Sequence, residues 1–300
     1  MSWISLTIFS ACILGIYDLV RKTAVSHNAV PAVLWISVGT AALVWLPFLI
    51  LSHTAHEWLP HPLLRVSPVS WEDHGFLLLK STIVSCSWTF AYVAIKHLPI
   101  TIAAPIRSTS PIWTILLALT FLGESPTPYQ WIGIVTIMGG FYGFSLAGKL
   151  EGIHFQKNRW VFYMMIAAVV AGGSSFYDRW LFAHRDLSAA TVQCWFSIYL
   201  VVILTPFFLA WKWDKLGNSS FHWRWSIPLS GLCLLGADFL YFTALTDEDA
   251  LISVVSPIRR TAIVVTFIGG AIFFKEKHVG RKAIFLAVLL IGVLILEWAK

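Results

Sequence analysis

The feature that most narrows what this chain can fold into is that it contains two copies of itself. Displaced by 160 positions, the sequence aligns Tyr17-Asp18 with Tyr177-Asp178, Trp35 with Trp195, Ser37 with Ser197 and Phe48-Leu49 with Phe208-Leu209. Further on the displacement becomes 152. It then pairs Phe90 with Phe242, Pro105-Ile106-Arg107 with Pro257-Ile258-Arg259, Thr109 with Thr261, Thr114 with Thr266 and Glu124 with Glu276. The change falls where the segment 53–73 is longer than its counterpart 212–224, so one insertion reconciles both registers. Chance supplies isolated pairs, not two ungapped registers that meet at a loop.

What each copy is made of follows from hydropathy. Hydrophobic residues make up 58% of the chain and charged ones 12%, against about 25% charged in ordinary soluble domains. Such a sequence has too little polar surface to cover a core, so lipid is the solvent for most of its outside. A membrane-crossing helix needs about 20 mostly apolar residues. Runs of that kind fall near 3–24, 30–52, 74–95, 100–122, 127–147, 159–181, 189–211, 225–246, 250–274 and 279–298. The expected fold is therefore all-α and integral to a membrane, with ten transmembrane helices arranged as two five-helix repeats, 1–148 and 149–300. An odd number of crossings per repeat makes the second enter in the opposite sense. Inverted repeats of this kind place a site between the halves and allow alternating access to it.

Several readings are set aside on composition. The net charge of +6 comes from Lys and Arg dispersed over short loops, which suits lipid headgroups and not a nucleic acid. Cys12, Cys86, Cys194 and Cys233 lie in apolar runs without CxxC or Cys/His spacing and read as packing residues. His53, His56 and His61 share one loop without a carboxylate or Cys to complete a ligand set, so no metal and no cofactor is expected. The Met1-Ser2-Trp3-Ile4 start lacks a basic n-region, and the first run is expected to stay as a helix. HExxH, Walker and nucleophile-elbow patterns do not occur, so no enzyme activity is expected. Most Lys and Arg gather on one set of alternating loops, which by the positive-inside rule puts both termini outside the cytoplasm; Lys80 counts among the few on the other side.

Ionisable groups inside spans carry the functional expectation, because each is unfavourable there by about 2.5–3.5 kcal/mol on insertion scales. They are Arg107, Arg259, Arg260, Asp18, Asp178 and Asp238. Pro105 and Pro257, two residues before an arginine, free backbone carbonyls, and the arginine fork supplies donors there. Arg107, Arg259 and Arg260 are candidates for holding a substrate carboxylate or phosphate; the alternative is that they only neutralise the three aspartates. Asp18, Asp178 and Asp238 are candidate coupling or counter-ion groups, Asp238 for protons in particular. Tyr17, Tyr177 and Trp88 are candidate substrate contacts, with interface anchoring as the plain alternative. Trp35 and Trp195 are further candidates for a cavity wall. Glu124 and Glu276 are expected to cap the next helix or pair locally.

The run Ser110-Pro111-Ile112-Trp113-Thr114-Ile115-Leu116-Leu117-Ala118-Leu119-Thr120-Phe121-Leu122-Gly123-Glu124, continued by Pro128-Tyr129-Gln130-Trp131-Ile132-Gly133, resembles the signature of the EamA-like family of the drug/metabolite transporter superfamily. The second copy, ending Phe273-Phe274-Lys275-Glu276, is a weaker match, with Ile263 in place of Pro111. The resemblance spans nearly the whole chain. It implies a ten-helix basket around a central cavity bordered by Asp18, Arg107, Asp178, Asp238 and Arg259, and it implies cytoplasmic termini, opposite to the charge count. The expected function is secondary transport or export of a small polar metabolite, an amino acid or another carboxylate- or phosphate-bearing solute, proton-coupled or exchanging. The expected partners are that solute, protons and the lipid bilayer of a bacterial plasma membrane, with the chain a monomer or dimer. A neutral-solute transporter with structural arginines, a lipid-acting membrane enzyme and a membrane scaffold are the alternatives.

Overall fold

A computed structural model describes residues 2–97, 106–107, 109–148, 158–214, 219–274 and 279–298. The described residues form helices and connecting turns, with no strand among them. In chain order they are α1 (Trp3–Val25), α2 (Val30–Thr54), α3 (Trp71–His97), α4 (Ser110–Leu117), α5 (Pro128–Gly148), α6 (Arg159–His184), α7 (Ala189–Lys212), α8 (Ser226–Leu245), α9 (Ile252–Arg260), α10 (Ala262–Phe274) and α11 (Val279–Trp298). Among the described residues, six segments, Trp3–Val25, Val30–Thr54, Arg159–His184, Ala189–Lys212, Ser226–Leu245 and Ile252–Gly269, are long and apolar enough to cross a membrane.

Local chemistry sets the starts and stops. Ser2, Asn158 and Ser188 accept from the backbone N–H of Ser5, Trp160 and Thr191 and cap α1, α6 and α7. Pro31 and Pro111 lie in the first turns of α2 and α4, where a missing N–H leaves no bond unmade. Beyond α4 the chain widens into a π turn, Ala118–Leu122, closed by Gly123 at φ +64°. A side chain there would be strained, and glycine is not. The expected fourth span is thus described only from Ile106 onward, and Pro105 lies outside the described residues. The expected ninth span is divided: α9 ends at Arg260, and the Thr261 N–H and hydroxyl both bond to the Ile258 carbonyl before α10 begins. Glu276 also lies outside the described residues.

Packing joins sequence-distant helices. α1 lies against α8, α9 and α10; α3 against α6 and α7; α2 against α7 and α8; α4 against α6 and α9; and α5 against α11. At the α2–α8 crossing a Cβ on Gly231 would stand 2.2 Å from the Ser37 carbonyl oxygen, so only glycine permits this approach. The largest core cluster, with Leu34, Leu77, Phe196, Leu200, Tyr241, Phe242 and Leu245, fills the space between α2, α3, α7 and α8. The outer faces carry exposed apolar side chains, among them Leu43, Ile50, Val135, Phe162, Val202 and Leu294, the surface a lipid-solvated helix bundle presents.

The loop after α2 is strapped down through its backbone. The Val66 N–H bonds to Ser52 Oγ at 2.9 Å, and the Ser67 N–H bonds to Thr191 Oγ1 at 2.9 Å. The loop thereby covers the start of α7. At the other turn of the bundle, the Arg179 guanidinium donates to the carbonyls of Leu245, Asp247 and Glu248 and fixes the α8–α9 connection.

Candidate functional site

The inner faces of α1, α3, α6, α8 and α9 bring most of the expected residues to one region. Asp238, 6% exposed on α8, is ion-paired with Arg259 on α9. The Arg259 guanidinium also lies over the Tyr241 ring, 4.0 Å from its centroid. Its buried Nε–H has no hydrogen-bond partner among the described residues. One residue on, Arg260 is half-buried and makes no side-chain hydrogen bond or ion pair among the described residues. Its electrostatic neighbours are Arg107, Arg259 and Asp18, so three guanidiniums share a single field at the end of α9.

A second buried pair was not foreseen. Lys80 on α3, 1% exposed, is bonded to Asp178 on α6. Its ammonium lies 4.3 Å from the Phe196 ring centroid and 4.5 Å from that of Phe242, a sandwich that stabilises a cation. The Tyr241 hydroxyl donates to the other Asp178 oxygen at 3.2 Å. Tyr241 therefore touches both pairs, Asp178 through its hydroxyl and Arg259 through its ring face.

The alternative in which the span arginines pair with the three aspartates meets other cations at two of them. Asp178 is met by Lys80, and Asp18 takes Arg21 one turn along its own helix, at 2.7 Å. The repeat explains the difference. The position corresponding to Arg21 in the second copy is Leu181, which is buried and offers no charge, so Asp178 reaches across to α3. The repeat also hid Lys80, whose counterpart is Leu232. A lone lysine six residues inside the apolar run 74–95 is the signal, and the charge count treats it only as a flank charge.

The other candidates are placed as follows. Tyr17 is buried beneath the Arg21 guanidinium, 4.9 Å away. Tyr177 donates its hydroxyl to the Phe76 carbonyl at 3.1 Å and stacks on Trp180. Trp88 is half-buried against the largest core cluster. Trp35 stacks on Phe208 and donates to Thr205, and Trp195 stacks on Tyr199; neither lines the small cavity described next. Glu124 caps a helix, but not the next one. Its carboxylate accepts from Ile252 N (2.8 Å), Ser253 N (3.0 Å) and Ser253 Oγ (2.6 Å) at the start of α9. Pro257 lies inside α9, fully within its buried stretch Ile252–Ile258.

Beside Asp238, α2, α7 and α8 border a small, partly open cavity of about 20 Å³, lined by Ser37, Gln193, Phe196, Ser197 and Asp238 among others. Ser37 and Ser197 are equivalent positions of the two copies. Ser37 Oγ is engaged with the Ile227 carbonyl and Ser230. Ser197 Oγ donates to the Gln193 carbonyl and is approached by Gln193 Nε2. Gln193 Oε1, on a side chain 2% exposed, has no hydrogen-bond partner among the described residues.

Comparison with known proteins agrees with this architecture. A crystal structure superposes with a TM-score of 0.69 at 17% identity, covering 97% of this chain and 95% of that one, which is a likeness of fold. A pseudopaline exporter of Pseudomonas aeruginosa is 26% identical over 217 residues, 71% of this chain and 72% of the relative. A probable sugar phosphate/phosphate translocator of Arabidopsis thaliana is 21% identical over 248 residues, 77% of this chain and 58% of the relative. The model of the EamA-like transporter family matches residues 1–146 and again 158–298, and the chain, an integral membrane protein, belongs to that family.

Proposed function

We propose that the protein is a secondary transporter in which two inverted five-helix repeats, 1–148 and 149–300, form ten crossings around a site for a small solute bearing a carboxylate or phosphate. The helix pairings support the inverted repeat, because they come in twos that exchange when the halves exchange: α1 on α8 answers α6 on α3, and α1 on α9 answers α6 on α4. The observation that carries the substrate class is the charge ledger of the interior. Among the described residues of this region, the cations Arg21, Lys80, Arg259 and Arg260 stand against the carboxylates Asp18, Asp178 and Asp238, and Arg107 adds to the same field. Each carboxylate is already engaged by a cation, while Arg260 makes no ion pair among the described residues and Arg259 keeps a buried N–H to offer.

A surplus of guanidinium in a weakly polar interior favours an anionic group, and the guanidinium fork matches carboxylate or phosphate with two parallel bonds. The named relatives, one exporting pseudopaline and one assigned to sugar phosphate and phosphate, are compatible with such a solute. The exporter relative is bacterial, which supports a plasma-membrane location.

Counterflow in proteoliposomes against amino acids, organic acids, sugars and phosphate esters tests the reading. Exchange restricted to anionic or zwitterionic solutes, abolished by Arg259→Ala in a protein that still purifies as a folded species, is the expected result. Exchange of neutral solutes alone, or unimpaired exchange by Arg259→Ala, would reduce the arginines to structural counter-ions.

A further inference from the structure

Gln193, whose side-chain oxygen has no hydrogen-bond partner among the described residues, borders the same small cavity as Asp238, the residue that holds Arg259. A buried amide oxygen is unfavourable without a donor, which a neighbouring side chain or an ordered water supplies. The groups facing Asp238 limit what that donor is. From α9 there is Arg259, from α3 Lys80 and from α6 Asp178; Tyr241, on α8 with Asp238, meets Arg259 and Asp178. From α1 there is Ser10, spent on the Ala237 carbonyl at 2.6 Å, and from α2 Ser37, spent on Ile227 and Ser230. Lys80 is spent on Asp178. Among the described residues, the one titratable group bordering the cavity is Asp238 itself.

We propose that Asp238 is a two-position proton switch that couples one proton to each substrate anion. Ionised, it holds Arg259. Protonated, it turns into the cavity and donates its O–H to Gln193 Oε1, directly or through one water, and Arg259 is released to the anion. A cavity of about 20 Å³ admits one water and little more. Its border is mostly apolar and its two serines are engaged, so it lacks the shell of oxygens a metal cation would need; the coupled ion is the proton. The balance is simple. A proton joins a carboxylate oxygen, and the Arg259 contact passes from Asp238 to the solute anion, so charge at the guanidinium is conserved. Anion and proton then bind together and cross in the same direction, and by linkage each strengthens the other. The coupling rests on the anion reading above, whereas the switch itself does not.

Infrared difference spectra of the purified protein, titrated between acid and alkaline pH with no solute present, test the switch alone. A protonated-carboxyl band that appears on acidification, vanishes in Asp238→Asn and shifts in frequency in Gln193→Leu is the expected result. A band untouched by Gln193→Leu, or none assignable to Asp238, overturns the switch even if the protein proves to be a transporter. Sulfate, which stays ionised over this range, then tests the coupling. Its apparent dissociation constant should rise about tenfold per pH unit on the alkaline side, as one linked proton requires, and should be flat in Asp238→Asn, whose amide stands in for the protonated acid. A flat wild-type profile, or sulfate that does not bind, would overturn the coupling.

Discussion

Replacing Lys80 by Met removes the cation from one of the most enclosed ion pairs in the bundle. The Lys80 side chain is 1% exposed and that of Asp178 is 7% exposed, so water cannot take the place of the missing ammonium. Asp178 would keep only the Tyr241 hydroxyl, and an uncompensated buried charge of this kind is destabilising by about 3–5 kcal/mol. A second substitution, Asp178→Asn, removes the stranded charge while its amide oxygen still accepts from Tyr241. The methionine then occupies the slot between Phe196 and Phe242, where sulfur–aromatic contact contributes about 0.3–1.5 kcal/mol. The double variant is therefore expected to return to within about 1 kcal/mol of the wild type, a coupling of several kcal/mol between the two sites. Unfolding in mixed micelles of increasing SDS content, followed by tryptophan fluorescence, measures all four proteins of the cycle. If the two substitutions prove additive, the pair does not owe its importance to charge in a dry interior, and the argument fails. The same double variant separates structure from transport. Should Lys80 serve only to neutralise Asp178, counterflow will survive in it.

Glu124→Ala should lower stability by about 2–4 kcal/mol in the same assay, since it deletes three hydrogen bonds to a charged acceptor at a helix start, each worth about 1.5–3 kcal/mol before water replaces part of them; Glu124→Gln should recover about half. A loss below 0.5 kcal/mol would mean that the cap is not made in the membrane. Gly231→Ala places a Cβ 2.2 Å from the Ser37 carbonyl oxygen and should be destabilising by about 1–3 kcal/mol through forced separation of α2 and α8. Gly39→Ala, whose Cβ meets nothing within 4 Å, is the control and should leave the unfolding midpoint in place.

How much of this was legible in the sequence differs between its parts. Helix positions followed from apolar runs, because in lipid a backbone must satisfy its own hydrogen bonds and a helix is the local way to do so. The run at 30–52 became α2 at Val30–Thr54, and that at 189–211 became α7 at Ala189–Lys212. Within the runs, charge was visible but pairing was not. Asp18 and Asp178 are equivalent in the repeat, yet a single difference one turn later, Arg21 against Leu181, sends one carboxylate to its own helix and the other across to α3. A pattern that locates charges says nothing of the side-chain reach that connects them. Glu124 illustrates the same limit. Its position at the end of an apolar run identified it as a capping residue, but the helix it caps begins 128 residues later, and only three-dimensional packing brings the two together. Gln193 offered no signal, because an uncharged amide in an apolar run is unremarked by hydropathy, and its counterpart in the first copy is Val33.

That long-range cap also bears on how the protein is made. At ribosomal rates of about 5–20 residues per second, the 128 residues between Glu124 and its donor at Ile252 take roughly 6–26 s to synthesise. Throughout that interval the first copy is already a run of membrane helices, with a carboxylate that has none of its final donors and must keep contact with headgroup water. The contact of Glu124 with the start of α9 accordingly closes only after α9 has been synthesised. A nascent chain halted before Ile252 would expose this acidic end to whatever membrane quality-control machinery surveys unfinished bundles.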